Sequence, residues 1–475
     1  MERILSAEQM RRADKFTIEN LGVPEDVLVE RAGGAVSDVI KKRFKGGRVL
    51  VCVGKGNNGA DGRVIAQNLS KTHGFSVVCA EVNPQNLKVF DKKFDIIVDC
   101  IFGTGLNRNV EGVYKEFIQK INESGAFVVA CDIASGLNGD NGKVLGVAVK
   151  SNLTVAIQEY KLGHFLNDGI DYSGEIVCKD IGISVWEDDC IKKLTDKGAK
   201  NLFEQRKRNS HKGCYGSACV IGGSKEYTGS VLLSATALTS LKMGVGYSAL
   251  AIPECLFNAY VGKVPECLLY SFNENGAFDE QTAQKILKFD SISVGMGMGV
   301  NESAYELIKY LTINFDGTLI IDADGLNSIS KFGLDIFNDK KAKLIITPHV
   351  GEFARLTGLT KEEILSNPIK YAKEFALKHD IIVVLKSSTS VITDGKEIYL
   401  NTTGCSGLAK AGSGDVLSGV IAGLTARCED KFFACTVACY VFGKAGEQAE
   451  TEQNAFTMTA TDVVKALPKA INNLN

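Results

Sequence analysis

The segment AKAGSGDVLSGVIAGL holds the residues with the clearest chemical potential in this chain of 475 residues. Gly412, Ser413 and Gly414 lead into an apolar helical pattern, with Asp415 in its first turn. Free backbone N–H groups and the helix dipole at such a turn stabilise a phosphoryl group as it gains negative charge. A carboxylate beside them is placed to take the proton of an attacking hydroxyl. The residues read as a phosphoryl-transfer centre with Asp415 as its base. An aspartate that only caps its own helix leaves the same pattern. No G-x-x-x-x-G-K-[ST] run occurs, which argues against a P-loop.

A second constellation lies in VGKGNNGADG, where Gly54, Gly56 and Gly59 form G-x-G-x-x-G between a strand-like and a helical run. Glu81 ends the next strand-like run, about the right distance on for a ribose contact. Glycines let the backbone approach a phosphate, and the helix N-terminus attracts it. A tight turn without ligand is the plain alternative. Asn57, Asn58 and Asp61 add amide and carboxylate groups that phosphate binding does not need. Asp99 and Asp132 end two further strand-like runs, and carboxyl ends of parallel strands gather on one edge of a sheet. Asn58, Asp99 and Ser135 can therefore converge as hard oxygen ligands for an alkali or alkaline-earth cation. Gly103 to Asn109 make a second flexible, phosphate-compatible loop. In the other half of the chain, Asp322 and Asp324 either bind magnesium or organise their turn.

These groups need a scaffold that brings strand ends together. RVLVCVG, SVVCAEV, FDIIVDCIFG, AFVVACDI and NLTVAI are short apolar runs, and helical patterns such as VYKEFIQKINESG lie between some of them. Continuous apolar strands alternating with helices imply a parallel sheet with helices on both faces. Near Asp180 the rhythm stops, and a polar stretch places the boundary between Thr195 and Arg208. SACVIGGS, GYSALAIP, SISVGMGMG, TLIIDADGLN, KLIITPH and DIIVVLK restart the rhythm, and two apolar helices close the chain. The expectation is two α/β domains, residues 1–200 and 201–475.

A net charge of -2 offers no general attraction for nucleic acid or an anionic membrane, so neither is expected as a partner. The apolar stretches are interrupted before membrane-spanning length. MERILSAEQMRRADKF carries charges where a signal peptide needs an apolar core, which points to a cytoplasmic location. The 14 cysteines include no C-x-x-C pair, so zinc is not expected and the thiols read as reduced. Cys52, Cys79, Cys100 and Cys131 fall in or at the end of strand-like runs and read as core.

GNNGADG, DCIFGTGLNR, DIASGLNGDNG and YKLGHFLNDG…GEIVCKDIGI resemble the epimerase domain that repairs hydrated NAD(P)H, over residues 1 to about 185. By that resemblance the domain is Rossmann-like. Its hydrated nucleotide is held by Asn57, Asn58, Gly59, Ala60 and Asp61, by Gly103, Thr104, Gly105, Leu106, Asn107, Arg108 and Asn109, and by Asp132, which is also assigned a catalytic part. Asn58, Asp99 and Ser135 match the family's potassium ligands. HKGCYGSACVIGGSKEYTGS, GMGMG, IIDADGLN, TPHVGEFARL and the GSGD turn resemble the ribokinase-like ADP-dependent NAD(P)H-hydrate dehydratase, from about residue 207 to the end. This implies that Asp415 contacts substrate and acts in catalysis, with Gly414 against the nucleotide. Gly297 and His349 match substrate-binding positions, and Lys386, Ser387, Ser388, Thr389 and Ser390 match the nucleotide-binding loop. A histidine serving only its own turn is the alternative for His349.

The function implied is repair of hydrated NADH or NADPH by epimerisation and then ADP-dependent dehydration, with potassium in the first domain and magnesium in the second. A kinase for a vitamin or sugar hydroxyl is the other enzymatic reading. A nucleotide sensor or assembly module is the non-catalytic one for the first half. The expected partners are small molecules, and a homo-oligomer is compatible with the sequence.

Overall fold

The computed structural model describes every residue except 186–189, 204, 240–242, 274–278 and 475. Contacts divide the chain into two units, Glu2–Ile191 and Lys192–Asn475, the second taking Met1 as well.

The N-terminal unit is built on six parallel strands in the order Phe75–Glu81, Gly47–Val53, Ile96–Cys100, Phe127–Cys131, Leu153–Ile157 and Glu175–Lys179. Ile96–Cys100 and Leu153–Ile157 are buried at every position, which is why they read as unbroken apolar runs. Alternate side chains enter two separate cores. Val49, Val51 and Val98 pack with Met10, Val36 and Ile65 from the helices Ala7–Glu19, Glu25–Arg43 and Asn57–Ser70. Leu50, Cys52 and Ile97 pack with Phe117, Ile118 and Ile121 of the helix Gly112–Glu123. The sheet is therefore covered on both faces, as the sequence pattern predicts.

Cys52, Cys100 and Cys131 are buried, but Cys79 is exposed, which corrects its reading as core. Phe75–Glu81 is an edge strand with one neighbour, and most of its side chains stay outside the core. The glycine motif has a packing reason of its own. A Cβ on Gly54 would lie 2.0 Å from the Ile101 carbonyl oxygen, and one on Gly59 would lie 2.0 Å from that of Gly54. Backbone cannot yield to such contacts without moving the turn. Gly56, by contrast, faces open space.

In the C-terminal unit seven strands lie parallel in the order Cys267–Phe272, Tyr247–Pro253, Ser217–Ile221, Ser291–Val294, Thr318–Ile321, Lys343–Ile346 and Ile382–Leu385. Ser390–Thr393 and Ile398–Asn401 continue the sheet antiparallel. The helices Thr228–Leu238, Ser413–Arg427, Lys431–Gln453 and Ala460–Asn472 pack on one core. Ser413–Arg427 is buried throughout from Val416 to Ala426, while Gly414 and Asp415 at its N-terminus are only partly buried. Among the described residues no helix is long and apolar enough to cross a membrane.

Candidate active sites

The N-terminal unit contains a cleft of about 740 Å³ at the carboxyl edge of its sheet. Asn57, Asn58, Asp61, the loop from Gly103 to Arg108 and Asp132 all line it, whereas Gly59, Ala60 and Asn109 are not part of its wall. Gly56, with open space where a Cβ would be, sits on that wall at the start of the helix Asn57–Ser70.

Asn58, Asp99 and Ser135 are buried and come together. Asp99 Oδ1 accepts from the Ser135 hydroxyl at 2.6 Å, and Oδ2 accepts from the Ser135 N–H at 2.8 Å. The Asn58 amide donates to the Phe102 carbonyl at 2.8 Å, and Ser135 Oγ lies 3.2 Å from the same oxygen. Asn58 Oδ1 is left buried without a hydrogen-bond partner. Burial pushes the Asp99 carboxyl up to about 6, and hydrogen bonds from Ser135 and Ile101 oppose that rise. An orphaned amide oxygen beside a buried carboxylate is the environment a weakly hydrated cation would relieve. Among the described residues no group of three or more His, Cys, Asp or Glu is arranged to hold a metal ion. The oxygen set here contains a single carboxylate.

Asp132 follows the strand Phe127–Cys131 with φ 66, a left-handed value unusual outside glycine. Its Oδ1 accepts from the Ile157 N–H at 3.0 Å and forms an ion pair with Lys161, which is fully buried. Two more carboxyls line the cleft. Asp14 is pushed up to about 6 and Asp61 to about 8, in both cases mainly by burial. Asp132 adds its negative charge to both, and the Lys161 ammonium partly offsets the rise at Asp14. The sequence reading missed Asp14, Lys161 and His164. For Lys161 a signal exists: a lysine between the apolar run NLTVAI and LGHFL requires a buried partner.

In the C-terminal unit the strand ends at Ile321 and Leu385 bring Asp322 and Lys386 together. Lys386 Nζ donates to Asp322 Oδ1 at 2.8 Å, and the Ser418 hydroxyl donates to Oδ2. A Cβ on Gly414 would lie 3.3 Å from Lys386 Nζ, so the helix N-terminus rests against this pair. Asp415 is half-buried; burial and then the Asp322 charge raise it to about 6, against a Ser230 hydrogen bond and the Lys386 charge. Gly297 has φ 66 and packs against Tyr227 and Ser230, which puts it beside Asp415's partner.

Asp322 spends both oxygens on Lys386, Ser418 and the Ala323 N–H. Asp324 accepts from the Gly299 N–H at 2.9 Å. His349 caps the helix Val350–Thr357, its Nδ1 accepting from Gly351 at 2.9 Å and Glu352 at 3.3 Å. Its side chain is 55% exposed, and its Nε2 lies 3.5 Å from Glu352 Oε1. Burial and then the Lys386 charge lower its proton affinity, and a capped Nδ1 is consistent with a neutral ring. In the Lys386–Ser390 loop, Ser387 and Ser388 are exposed and Thr389 is buried.

A family model described as NAD(P)H-hydrate dehydratase matches residues 218–469. A second, described as YjeF-related protein N-terminus, matches residues 25–92 and 81–163. The bifunctional NAD(P)H-hydrate repair enzyme of Thermofilum pendens is 33% identical over 99% of this chain and 97% of its own. That of Moorella thermoacetica is 30% identical over 99% and 97%. Among solved structures, the ADP/ATP-dependent NAD(P)H-hydrate dehydratase of Bacillus subtilis, co-crystallised with ATP/Mg2+, superposes with a TM-score of 0.53 at 28% identity. It covers 60% of this chain and 99% of its own. A ribokinase-like superfamily protein of Enterococcus faecalis shares the fold at a TM-score of 0.53 and 24% identity, covering 60% and 96%. With both halves matched in order and near-complete mutual coverage, this chain belongs to the family of bifunctional NAD(P)H-hydrate repair enzymes.

Proposed function

We propose that the protein repairs hydrated NADH and NADPH in two steps, epimerising the hydrate in residues 1–200 and dehydrating it in residues 201–475. What carries this reading is the presence in one chain of two clusters suited to different chemistry. One is a carboxylate-rich cleft; the other sets Asp415 at a helix N-terminus against Lys386. Hydration of an enamine double bond places the hydroxyl on the carbon attached to nitrogen. Dehydration then needs that hydroxyl made into a leaving group. Asp415 takes the hydroxyl proton, and the oxygen attacks the terminal phosphoryl of the nucleotide, whose bridging P–O bond breaks and leaves its electron pair on the departing AMP. Phosphate then leaves with the C–O electron pair, while the ring nitrogen supplies the electrons for C=N. Loss of a proton from the adjacent carbon restores the double bond. Gly412, Ser413 and Gly414 offer N–H groups to the transferring phosphoryl. Lys386, with Ser387 and Ser388, faces the nucleotide phosphates, while Gly297 and the Nε2 of His349 face the hydrated nicotinamide.

ADP is the co-substrate by this reading. Since both Asp322 oxygens are engaged, magnesium would be carried by the nucleotide phosphates rather than by an all-protein cage. Protein incubated with mixed epimers of hydrated NADH, ADP and magnesium should return all of the reduced nicotinamide absorbance. A stable phosphorylated product in place of NADH would overturn the reading in favour of a kinase.

In the N-terminal cleft, potassium would be held by Asn58, Asp99, Ser135 and the Phe102 carbonyl, and would offset the negative charge of the substrate phosphates. Asp99→Ala is expected to remove the potassium dependence of epimerisation and weaken substrate binding, with dehydration unaffected. Rates measured in potassium against sodium check this. Equal epimerisation by the variant and the unmodified protein would count against the site.

A further inference from the structure

Asp132 stands at the centre of a closed ring of hydrogen bonds. The Lys161 N–H donates to His164 Nδ1 at 3.2 Å, which leaves the imidazole proton on Nε2. His164 Nε2 then donates to the Asp132 carbonyl at 2.8 Å. The Lys161 ammonium closes the ring on Asp132 Oδ1 and also donates to the Ile157 carbonyl at 2.6 Å. Both Lys161 and His164 are fully buried, and His164 is lowered to about 4, chiefly by burial and then by the Lys161 charge. Its ring is therefore neutral throughout the physiological range. Of the three cleft aspartates, Asp14, Asp61 and Asp132, only Asp132 forms an ion pair among the described residues.

The ring explains two facts about Asp132 together. Its backbone is held at φ 66, a left-handed conformation that is strained for a non-glycine residue and needs surrounding contacts to persist. With Oδ1 taken by Lys161 and Ile157, the partly exposed carboxylate has Oδ2 left for the cleft. We propose that Lys161 and His164 are positioning residues of the epimerase site, acting through Asp132: Lys161 fixes the carboxylate, and His164 fixes the backbone that carries it. This rests on the epimerase reading above and adds to it Lys161, a fully buried side chain at the border of the cleft, and His164, which is not part of the cleft wall.

The test compares His164→Leu with His164→Gln in the full chain. Leucine removes both hydrogen bonds. A glutamine amide can accept from Lys161 through its oxygen and donate to Asp132 through its nitrogen. His164→Leu should lower kcat for epimerisation by about 10²-fold, the scale of a small misplacement of a reacting group. KM should move far less, dehydration should be unchanged, and His164→Gln should recover most of the loss. Independently, 15N NMR of the unmodified protein at about pH 6 should show His164 as the neutral Nε2–H tautomer, one unit or more above its lowered pKa. A folded His164→Leu protein that epimerises at the full rate overturns the proposal. So does an Nδ1–H or protonated His164 ring, or a glutamine variant no better than leucine. Unmodified protein that dehydrates but does not epimerise overturns the epimerase reading instead, and the tautomer measurement still decides the ring.

Discussion

Asp415→Asn should lower nucleotide-dependent dehydration by about 10²–10⁴-fold, the usual cost of losing a general base, while epimerisation continues at the unmodified rate. Asparagine keeps the size of the side chain and can still accept the Ser230 hydrogen bond, so folding is not the expected casualty. The pH dependence has a definite sign. Asp415 is raised to about 6 by burial and by Asp322, and it acts as a base only when ionised. Dehydration should therefore fall as pH drops through about 6, approaching tenfold per unit below it, and be insensitive to this group well above. The asparagine variant should lack that acidic limb. Rates of NADH recovery from pH 5 to 8 read both effects. Turnover near normal in the variant would remove Asp415 from its role.

Asp132→Ala should abolish epimerisation and also destabilise the N-terminal unit. The substitution strands the Lys161 ammonium, buried at 0% exposure, with the Ile157 carbonyl as its remaining hydrogen-bond partner. Breaking a buried ion pair from one side costs about 3–5 kcal/mol, and the partial exposure of Asp132 argues for the lower end. Relief of the left-handed backbone is small beside this, because alanine is no better suited to φ 66 than aspartate. Asp132→Asn, which retains an oxygen for Lys161 and Ile157, should lose activity with a smaller loss of stability. Urea unfolding of the full chain, followed alongside dehydratase activity, separates the outcomes. An unmoved N-terminal transition in Asp132→Ala would mean that Lys161 does not depend on this carboxylate.

The central strands were legible because burial on both faces forces continuous Val and Ile runs, as in Ile96–Cys100 and Leu153–Ile157. Cys267–Phe272, which borders the C-terminal sheet and is only half-buried, lacked that signal, as did the two antiparallel strands Ser390–Thr393 and Ile398–Asn401. Spacing alone led to Asp415, Gly414 and the Gly54–Gly59 turn, because helix N-termini and tight turns are local. It could not separate ligand from packing as the reason for those glycines, since the contact of Gly54 is with Ile101, far along the chain. Lys161 and Asp14 escaped for the same physical reason. The partner that makes a buried lysine tolerable lies 29 residues away in Asp132, and Asp14 reaches the cleft from a helix whose periodicity signals only packing. Lys386, the partner of Asp322, sits 64 residues on, where local spacing does not reveal it.

Asp132, Gln158 and Ala323 share one location: each lies at or just beyond the carboxyl end of a parallel strand, with φ of 66, 65 and 50. Three of the six non-glycine residues with positive φ among the described residues thus lie along the edges that carry the chemistry, at about 1–3 kcal/mol for each such residue. This makes those edges the least promising places to engineer heat resistance. A change that relaxes the turn at Asp132 or Ala323 would stabilise the chain by letting the neighbouring carboxylates drift, so thermostability and turnover would move in opposite directions there. Stabilising substitutions are better sought on the solvent side of the helices, where no reacting group depends on a strained backbone.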